Sequence, residues 1–340
     1  MRRRKIGVGV IGLGFMGRTH IEAFSSIEEC EVVAVADQDE SRLLGLPPEG
    51  GNLGGQSKGR IFDPDSTATF KNPADLLSCD GIDLVSITTP TPTHVELAIA
   101  AIESGRHVLV EKPVDLQISK IALIAEAARK RGVLAMPAHC MRSWPAWSWM
   151  RERVINRTFG DVVSARFLRT GAAPNWNGDF YLDDSKSGGA MVDLHIHDAD
   201  YILHCLGMPS VVVSNGTRRR IRTEYRFEGG LVVEAEGGWL EASDAPFTMK
   251  AEIECVEATM SFDLARNPEV QVKHADGAIT NHPEASIGGT GYEVQARRFI
   301  DAVHSGARVP PVTMEDAAKT ARLLDCEIDS MVGGGIPIKI

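Results

Sequence analysis

No cysteine in this chain of 340 residues stands at metal-binding or disulfide-framework spacing. The six present, Cys30, Cys79, Cys140, Cys205, Cys255 and Cys326, are scattered and form no C-x-x-C. Isolated thiols suit a reducing compartment, so the chain reads as cytoplasmic, with neither a disulfide frame nor a zinc site. Long apolar runs are also missing, and none approaches the roughly 20 residues that cross a bilayer. The opening MRRRKIGVGVIGLG has a basic head and an apolar stretch, but glycines interrupt it and no small-residue cleavage site follows. We read it as the start of a first strand, not as a secretory leader. Positive charge is in deficit, 36 Lys and Arg against 46 Asp and Glu for a net charge of −10. That disfavours nucleic-acid and anionic-membrane partners, which need clustered cations. The one local basic run, residues 218–222 (RRRIR), lies between strand-like segments and reads as a solvated edge. There is no internal repeat, and the length suits two domains.

What is present begins with a nucleotide-binding pattern. Residues 5–11 (KIGVGVI) form a strand-like run, and Gly12, Gly14 and Gly17 follow in G-x-G-x-x-G spacing around Phe15 and Met16. A helical stretch leads to a second apolar run, 31–36 (EVVAVA), which ends on Asp37. Gly12 permits a tight turn, Gly14 lets the backbone approach a pyrophosphate, and Gly17 lets helix and strand pack closely. The helix N-terminus offers N–H groups and a positive dipole end to phosphates. Asp37 stands where a carboxylate accepts the adenosine ribose hydroxyls. Gln38 and Asp39 follow it where an arginine would favour a 2′-phosphate, so NAD is expected over NADP.

Strands and helices then alternate to about residue 137, which predicts a doubly wound parallel sheet of Rossmann type with ligands outside the carboxyl ends of its strands. Thr89, Pro90, His94, Glu111 and Lys112 all fall at such ends. From residue 138 to 340 strand-like runs follow one another, which predicts an α+β domain with an open, predominantly antiparallel sheet. The last residues (IPIKI) read as a strand returning to the edge of the first domain. The segment 45–59, rich in glycine, reads as a surface loop that is either a lid over the cofactor or an insertion.

The motifs GLGFMG, TTPTPTH, SGRHVLVEKP and SGGAMVDLHIHDADYILHCLG, with the acid at Asp37, resemble the Gfo/Idh/MocA family of NAD(P)-dependent oxidoreductases along nearly the whole chain. The resemblance implies a Rossmann domain followed by a mainly antiparallel domain, and metal-free hydride transfer with a sugar, cyclitol or related polyol. It also implies Lys112 as the catalytic lysine and Asp193 and His197 as an acid–histidine pair. The 45–59 loop is longer than usual for such proteins, and His195 stands where many have glycine or another small residue.

The residues support this chemistry independently. Alcohol oxidation needs a base of pKa near 7 to take the hydroxyl proton, which favours histidine or a depressed lysine. On one continuous helix over 190–206, Asp193, His197 and Asp200 would share a polar face beside an apolar stripe, with Gly188 and Gly189 opening the helix to a close approach. Asp193 would orient the His197 ring and fix its tautomer. Lys112, after a buried strand, is placed to bond the nicotinamide ribose and the substrate hydroxyl. His94 either touches cofactor or satisfies backbone groups. His195 reads as a packed histidine, and Asp198 and Asp200 as surface or domain-interface groups. Arg142, Trp144 and, more weakly, Trp176 are candidates to contact a sugar. An open sheet invites a second copy, so a homodimer or homotetramer is expected. Redox-neutral glycoside cleavage through a transient ketone and a catalytically silent dinucleotide sensor remain alternatives.

Overall fold

A computed structural model describes residues 4–46, 59–174 and 180–340. The chain forms two compact units, one from Met1–His139 and Tyr292–Ala318, the other from Cys140–Gly291 and Lys319–Ile340.

In the first unit β1 (Ile6–Ile11), α1 (Phe15–Ser25) and β2 (Cys30–Ala36) lead to β3 (Ala68–Phe70), α2 (Pro73–Leu77) and β4 (Leu84–Ile87). Then come α3 (His94–Glu103), β5 (His107–Val110), α4 (Ile118–Arg131) and β6 (Ala135–Pro137). The six strands lie parallel in the order β3-β2-β1-β4-β5-β6. Every residue of β1 is buried, as a strand covered by helices on both faces must be. Val8, Val10, Leu84 and Leu109 form the core with Ile21 and Phe24 of α1 and with Phe299 and Ile300 from near the chain's end. The strand order reverses between β1 and β4, and the crevice outside the carboxyl ends at that point is where such sheets take ligands.

The second unit contains α5 (Pro145–Ile155), β7 (Val162–Ala172), α6 (Asp184–Ser187), α7 (Ala190–Asp193) and α8 (Ile196–Leu206). The strands β8 (Val211–Thr217), β9 (Arg220–Arg226), β10 (Val232–Leu240), β11 (Thr248–Cys255), β12 (Ala258–Asp263), β13 (Val270–His274) and β14 (Ile279–Asn281) follow. Helix α9 (Gly291–Ser305) and the start of α10 (Met314–Val332) belong to the first unit, and the rest of α10 leads to the second unit's last strand, β15 (Ile338–Lys339). The nine strands run β14-β13-β12-β11-β7-β10-β9-β8-β15, antiparallel except where β7 and β10 pair in parallel. Alternate residues of β11 and β12 are buried, so one face packs and the other carries charge. The packed face includes Phe167, Tyr225, Ile253 and Phe262, all within 3% of full burial, with Trp147 and Tyr201 against it.

Two expectations are corrected here. The terminal strand does not join the first unit's sheet: Ile338 and Lys339 pair with Val212 and Val211, completing the hydrogen bonds of an otherwise open β8 edge. Residues 190–206 are not one helix but two, α7 and α8, broken at Leu194 and His195. Most of the 45–59 loop, and Trp176 with its neighbours Asn175 and Asn177, lie outside the described residues.

Candidate active site

The glycine turn meets the demands of a dinucleotide on three different grounds. Gly12 has φ +91°, and a Cβ there would lie 2.8 Å from Thr89 and 2.9 Å from the Thr88 backbone. A Cβ on Gly17 would lie 2.0 Å from the Gly12 carbonyl oxygen, so helix and strand meet at van der Waals limit. Gly14 differs: the nearest atom to a Cβ there is a nitrogen of Arg42 at 3.9 Å. The protein itself does not require glycine at 14, and the space it leaves suits a pyrophosphate drawn close to the backbone. Gly14 is also the N-cap of α1, and no side chain caps that end. Asp37, at the end of β2, accepts the Leu13 N–H at 2.6 Å through Oδ2 and the Asp39 N–H at 2.8 Å through Oδ1. Arg42 Nη1 stands 3.3 Å from the same Oδ2. These residues fit NAD: the glycines and the start of α1 would hold the pyrophosphate, and Asp37 the adenosine ribose.

The ends of β4 and β5 are braced by side chains that face inward. Thr88 donates to the Gly12 carbonyl at 2.6 Å and so ties β4 to the turn. His94 is buried, with Nδ1 2.9 Å from the Pro113 carbonyl and Nε2 2.7 Å from the Thr89 carbonyl. Burial pushes its pKa below the ordinary value, although those carbonyls pull the other way. His94 thus packs between two loops, each ring nitrogen beside a main-chain oxygen. Glu111 is likewise buried. It lies 3.0 Å from His20 Nε2 and accepts the Lys112 N–H at 3.0 Å, while His20 Nδ1 lies 2.7 Å from Ser86. Burial would raise the Glu111 carboxyl, but the His20 hydrogen bond and the nearby Lys112 charge outweigh it, and its pKa is lowered. The Glu111 side chain thus supports the Lys112 backbone. Thr89 and Lys112 are half-buried and Pro90 is exposed.

The second unit explains why α7 and α8 are separate. Gly188 and Gly189 have φ of +76° and +74°, and Cβ atoms there would come 2.5 Å from the Val192 side chain and 2.7 Å from the Arg218 carbonyl oxygen. The close approach predicted at these glycines is thus made by the protein's own chain. Met191 N–H donates to that Arg218 carbonyl at 3.0 Å and fixes the start of α7. The Leu194 and His195 N–H groups then both converge on the Ala190 carbonyl, at 2.8 and 3.0 Å, and the helical ladder restarts at Ile196.

Around the break, charge is buried in pairs. Asp198 receives Arg169 Nε and Nη2 at 3.0 and 2.8 Å, and Asp200 receives Arg142 Nε and Nη2, both at 2.8 Å. Thr320 donates to Asp200 at 2.8 Å. Of the two alternatives expected for these aspartates, surface or domain interface, the surface one is overturned: both are within 1% of full burial because each finds a guanidinium of matching geometry. Arg142, expected to contact a sugar, is buried with them, its Nε and Nη2 on Asp200. His195 is fully buried, as a packed histidine should be, with Nε2 2.9 Å from Glu327 and 3.1 Å from the Tyr225 hydroxyl. Burial opposes the charged ring, but the Glu327 carboxylate outweighs it and the His195 pKa is raised. Asp193 and His197, by contrast, keep partial exposure.

Of the tryptophans, Trp147 is core, edge-on to Tyr201 with ring centroids 4.6 Å apart. Trp149 lies under the Arg153 guanidinium at 3.5 Å. Trp144 is half-buried, packed so closely that a Cβ on Gly291 would lie 2.7 Å from its ring. Sequence reasoning missed His20, Ser86 and Thr88, which carry no motif of their own, and Arg42, which lies three residues beyond the positions inspected after Asp37. Among the described residues no group of three or more His, Cys, Asp or Glu is placed to hold a metal ion.

Comparison with known proteins agrees with this geometry. Residues 6–139 match the profile of an oxidoreductase family with an NAD-binding Rossmann fold, and residues 147–261 match the GFO/IDH/MocA C-terminal domain. The chain is 29% identical over 215 residues to D-glucoside 3-dehydrogenase of Escherichia coli strain K12, a match covering 62% of this chain and 57% of that protein. It is 27% identical to scyllo-inositol 2-dehydrogenase (NAD(+)) of Bacillus subtilis strain 168, over 92% of this chain and 90% of that one. The chain thus spans little more than half of one relative and nine-tenths of the other. In fold it is similar to levoglucosan dehydrogenase solved with NADH and levoglucosan, with TM-score 0.83, 20% identity and coverage of 99% and 100%.

Proposed function

The chain belongs to the Gfo/Idh/MocA oxidoreductase family, and from that premise we propose that it is an NAD-dependent dehydrogenase acting on a CH–OH of a sugar, cyclitol or related polyol. Oxidising such a carbon removes a hydride from carbon and a proton from oxygen. Bound NAD supplies the hydride acceptor. His197 takes the hydroxyl proton, Asp193 orients its ring, and the Lys112 ammonium donates to the substrate oxygen and favours its alkoxide character. Gly12, Gly14, Phe15, Met16, Gly17 and Asp37 carry the cofactor. The supporting observation is a contrast within eight residues. Asp198 and Asp200 are buried in bidentate pairs and His195 on Glu327, whereas Asp193 and His197 retain access to solvent. Their partial exposure beside fully buried neighbours supports assigning Asp193 and His197 to the substrate.

Purified protein given NAD and a panel of inositols, glycosides and pentoses should accumulate reduced nicotinamide with at least one of them. Consumption of a glycoside with no accumulation would point to redox-neutral cleavage instead, and failure to bind NADH would end the proposal.

The partner we expect is a second copy through the charged face of the nine-stranded sheet, giving a dimer or tetramer. Both signs alternate there, with Arg166 and Arg222 on Glu234 at 3.1 and 2.8 Å and Lys250 on Asp263 at 2.9 Å, a self-complementary pattern. Sedimentation of the purified chain as a monomer would rule this out. A cytoplasmic location fits the six cysteines, all of them free. No described helix is long and apolar enough to cross a membrane.

A further inference from the structure

We propose, on the dehydrogenase reading above, that Glu327 is a positioning residue for the reaction. From α10 it holds His195, and through His195 it fixes how the Asp193 end of α7 stands to the His197 turn of α8. Asp193 is the last residue of α7, His195 the N-cap of α8 and His197 its second residue. Backbone bonds at the break are local: the His195 N–H reaches back to Ala190, and the His195 carbonyl accepts from Asp198 and Ala199. Such bonds shape a turn without tying it to the sheet behind. The His195 side chain makes that tie. Glu327 Oε2 lies 2.9 Å from His195 Nε2 and accepts the Thr223 hydroxyl at 3.0 Å, while Oε1 accepts the Tyr225 hydroxyl at 2.8 Å. Thr223 and Tyr225 belong to β9, and all four side chains are fully buried.

A carboxylate only accepts, so the His195 ring must carry a proton on Nε2. Nδ1 is buried with no hydrogen-bond partner among the described residues, and a Cβ at Gly237 would come within 2.9 Å of it. A flipped ring would set a carbon against the carboxylate, so one orientation satisfies the site. Helix α10 grips a second time: Thr320, two helical turns before Glu327 and so on the same face, donates to Asp200 at 2.8 Å. The two grips, on His195 and Asp200, bracket His197 in the chain. Well-packed apolar residues in place of buried ionic groups often cost no stability. What directional bonds add here is placement, and about 1 Å of misplacement at a catalytic group costs up to roughly a hundredfold in rate.

Glu327→Leu and Glu327→Gln, with Ile253→Val on β11 as a control for core stability, test this against wild type. Titration with NADH, followed by nicotinamide fluorescence, counts folded binding sites. Rates with whichever inositol, glycoside or pentose the wild type oxidises are then expressed per site. Glu327→Leu should lose roughly thirty- to a hundredfold in kcat per site, with KM and the NADH Kd changed by less than about threefold. Glu327→Gln, which keeps an acceptor for His195, should lose roughly three- to tenfold, and it carries the same readouts if Glu327→Leu fails to fold. Ile253→Val should match wild type per site. Long-range proton–nitrogen spectra of histidine-labelled protein, assigned with His195→Gln and His197→Gln, need no substrate: the His197 ring signals should move in the Glu327 variants and stay in Ile253→Val. Unchanged kcat per site would overturn the proposal, because any loss would then only follow the loss of folded protein, and so would His197 signals that stay in place. If the wild type oxidises nothing in the panel, the dehydrogenase reading falls, while the His197 signals still decide whether Glu327 positions that ring.

Discussion

A side chain at position 237 would place its Cβ 2.7 Å from the Cβ of His195 and 2.9 Å from the ring Nδ1. Gly237 lies within β10, where glycine ordinarily weakens a strand. Here its missing side chain makes room for a histidine at the break between α7 and α8. The large residue at 195 is accommodated by a small residue across from it.

Gly237→Ala should therefore destabilise the protein by about 1–3 kcal/mol, the range for overpacking a filled core. In the double variant with His195→Gly, the two losses should fall short of additive by about 1 kcal/mol, because the new methyl occupies the vacated space. Urea unfolding of the four proteins measures this. Strict additivity would show that the close approach carries no energy.

Asp198→Asn leaves the Arg169 guanidinium buried without its countercharge. A loss of about 3–5 kcal/mol is expected, against less than about 1 kcal/mol for an exposed pair such as Arg157 with Asp161. Denaturation of both variants decides between buried and surface behaviour at this helix.

His94 should make stability fall with acid. Its folded pKa lies below the ordinary value of about 6.5, so as pH drops the unfolded chain takes up a proton first. Its share of stability is complete above about pH 6.5 and declines below it. Thermal midpoints measured from pH 8 down to pH 5 should drop more steeply in wild type than in His94→Gln. Parallel curves would place the acid sensitivity elsewhere.

Glu327→Gln should act in the opposite direction. The folded pKa of His195 is raised, so its contribution is present below about pH 6.5 and is lost as pH rises through the folded value. The destabilisation caused by the variant should thus be larger at pH 6 than at pH 9, as measured by urea midpoints at each pH. A gap that widens with pH would refute the charge pairing.

His197→Ala should lower kcat by roughly two to four orders of magnitude, the usual range for loss of a general base, while NADH affinity changes little. Lys112→Ala should impair both. Once a substrate is in hand, steady-state rates and NADH titration separate the two; a His197→Ala enzyme with near-normal kcat would remove the histidine from the mechanism.

What the sequence alone determined is the part of this protein built from neighbours in the chain. The turn from Gly12 to Gly17, the acid at Asp37 and the alternation that makes six parallel strands depend on spacing and periodicity within a few tens of residues. What only the tertiary structure decided is how charge is buried and where a helix stops. Asp198 read as a surface or domain-interface group because the Arg169 that neutralises it lies 29 residues away on β7, and the His20 that pairs with Glu111 lies 91 residues away. The wheel drawn through 190–206 failed at His195 because the Ala190 carbonyl captures two N–H groups while the Arg218 carbonyl holds the start of α7. Periodicity reports which residues share a face only while the backbone hydrogen-bond ladder is unbroken. Whether a polar side chain is catalytic, paired or packed is set by partners that the fold brings from elsewhere.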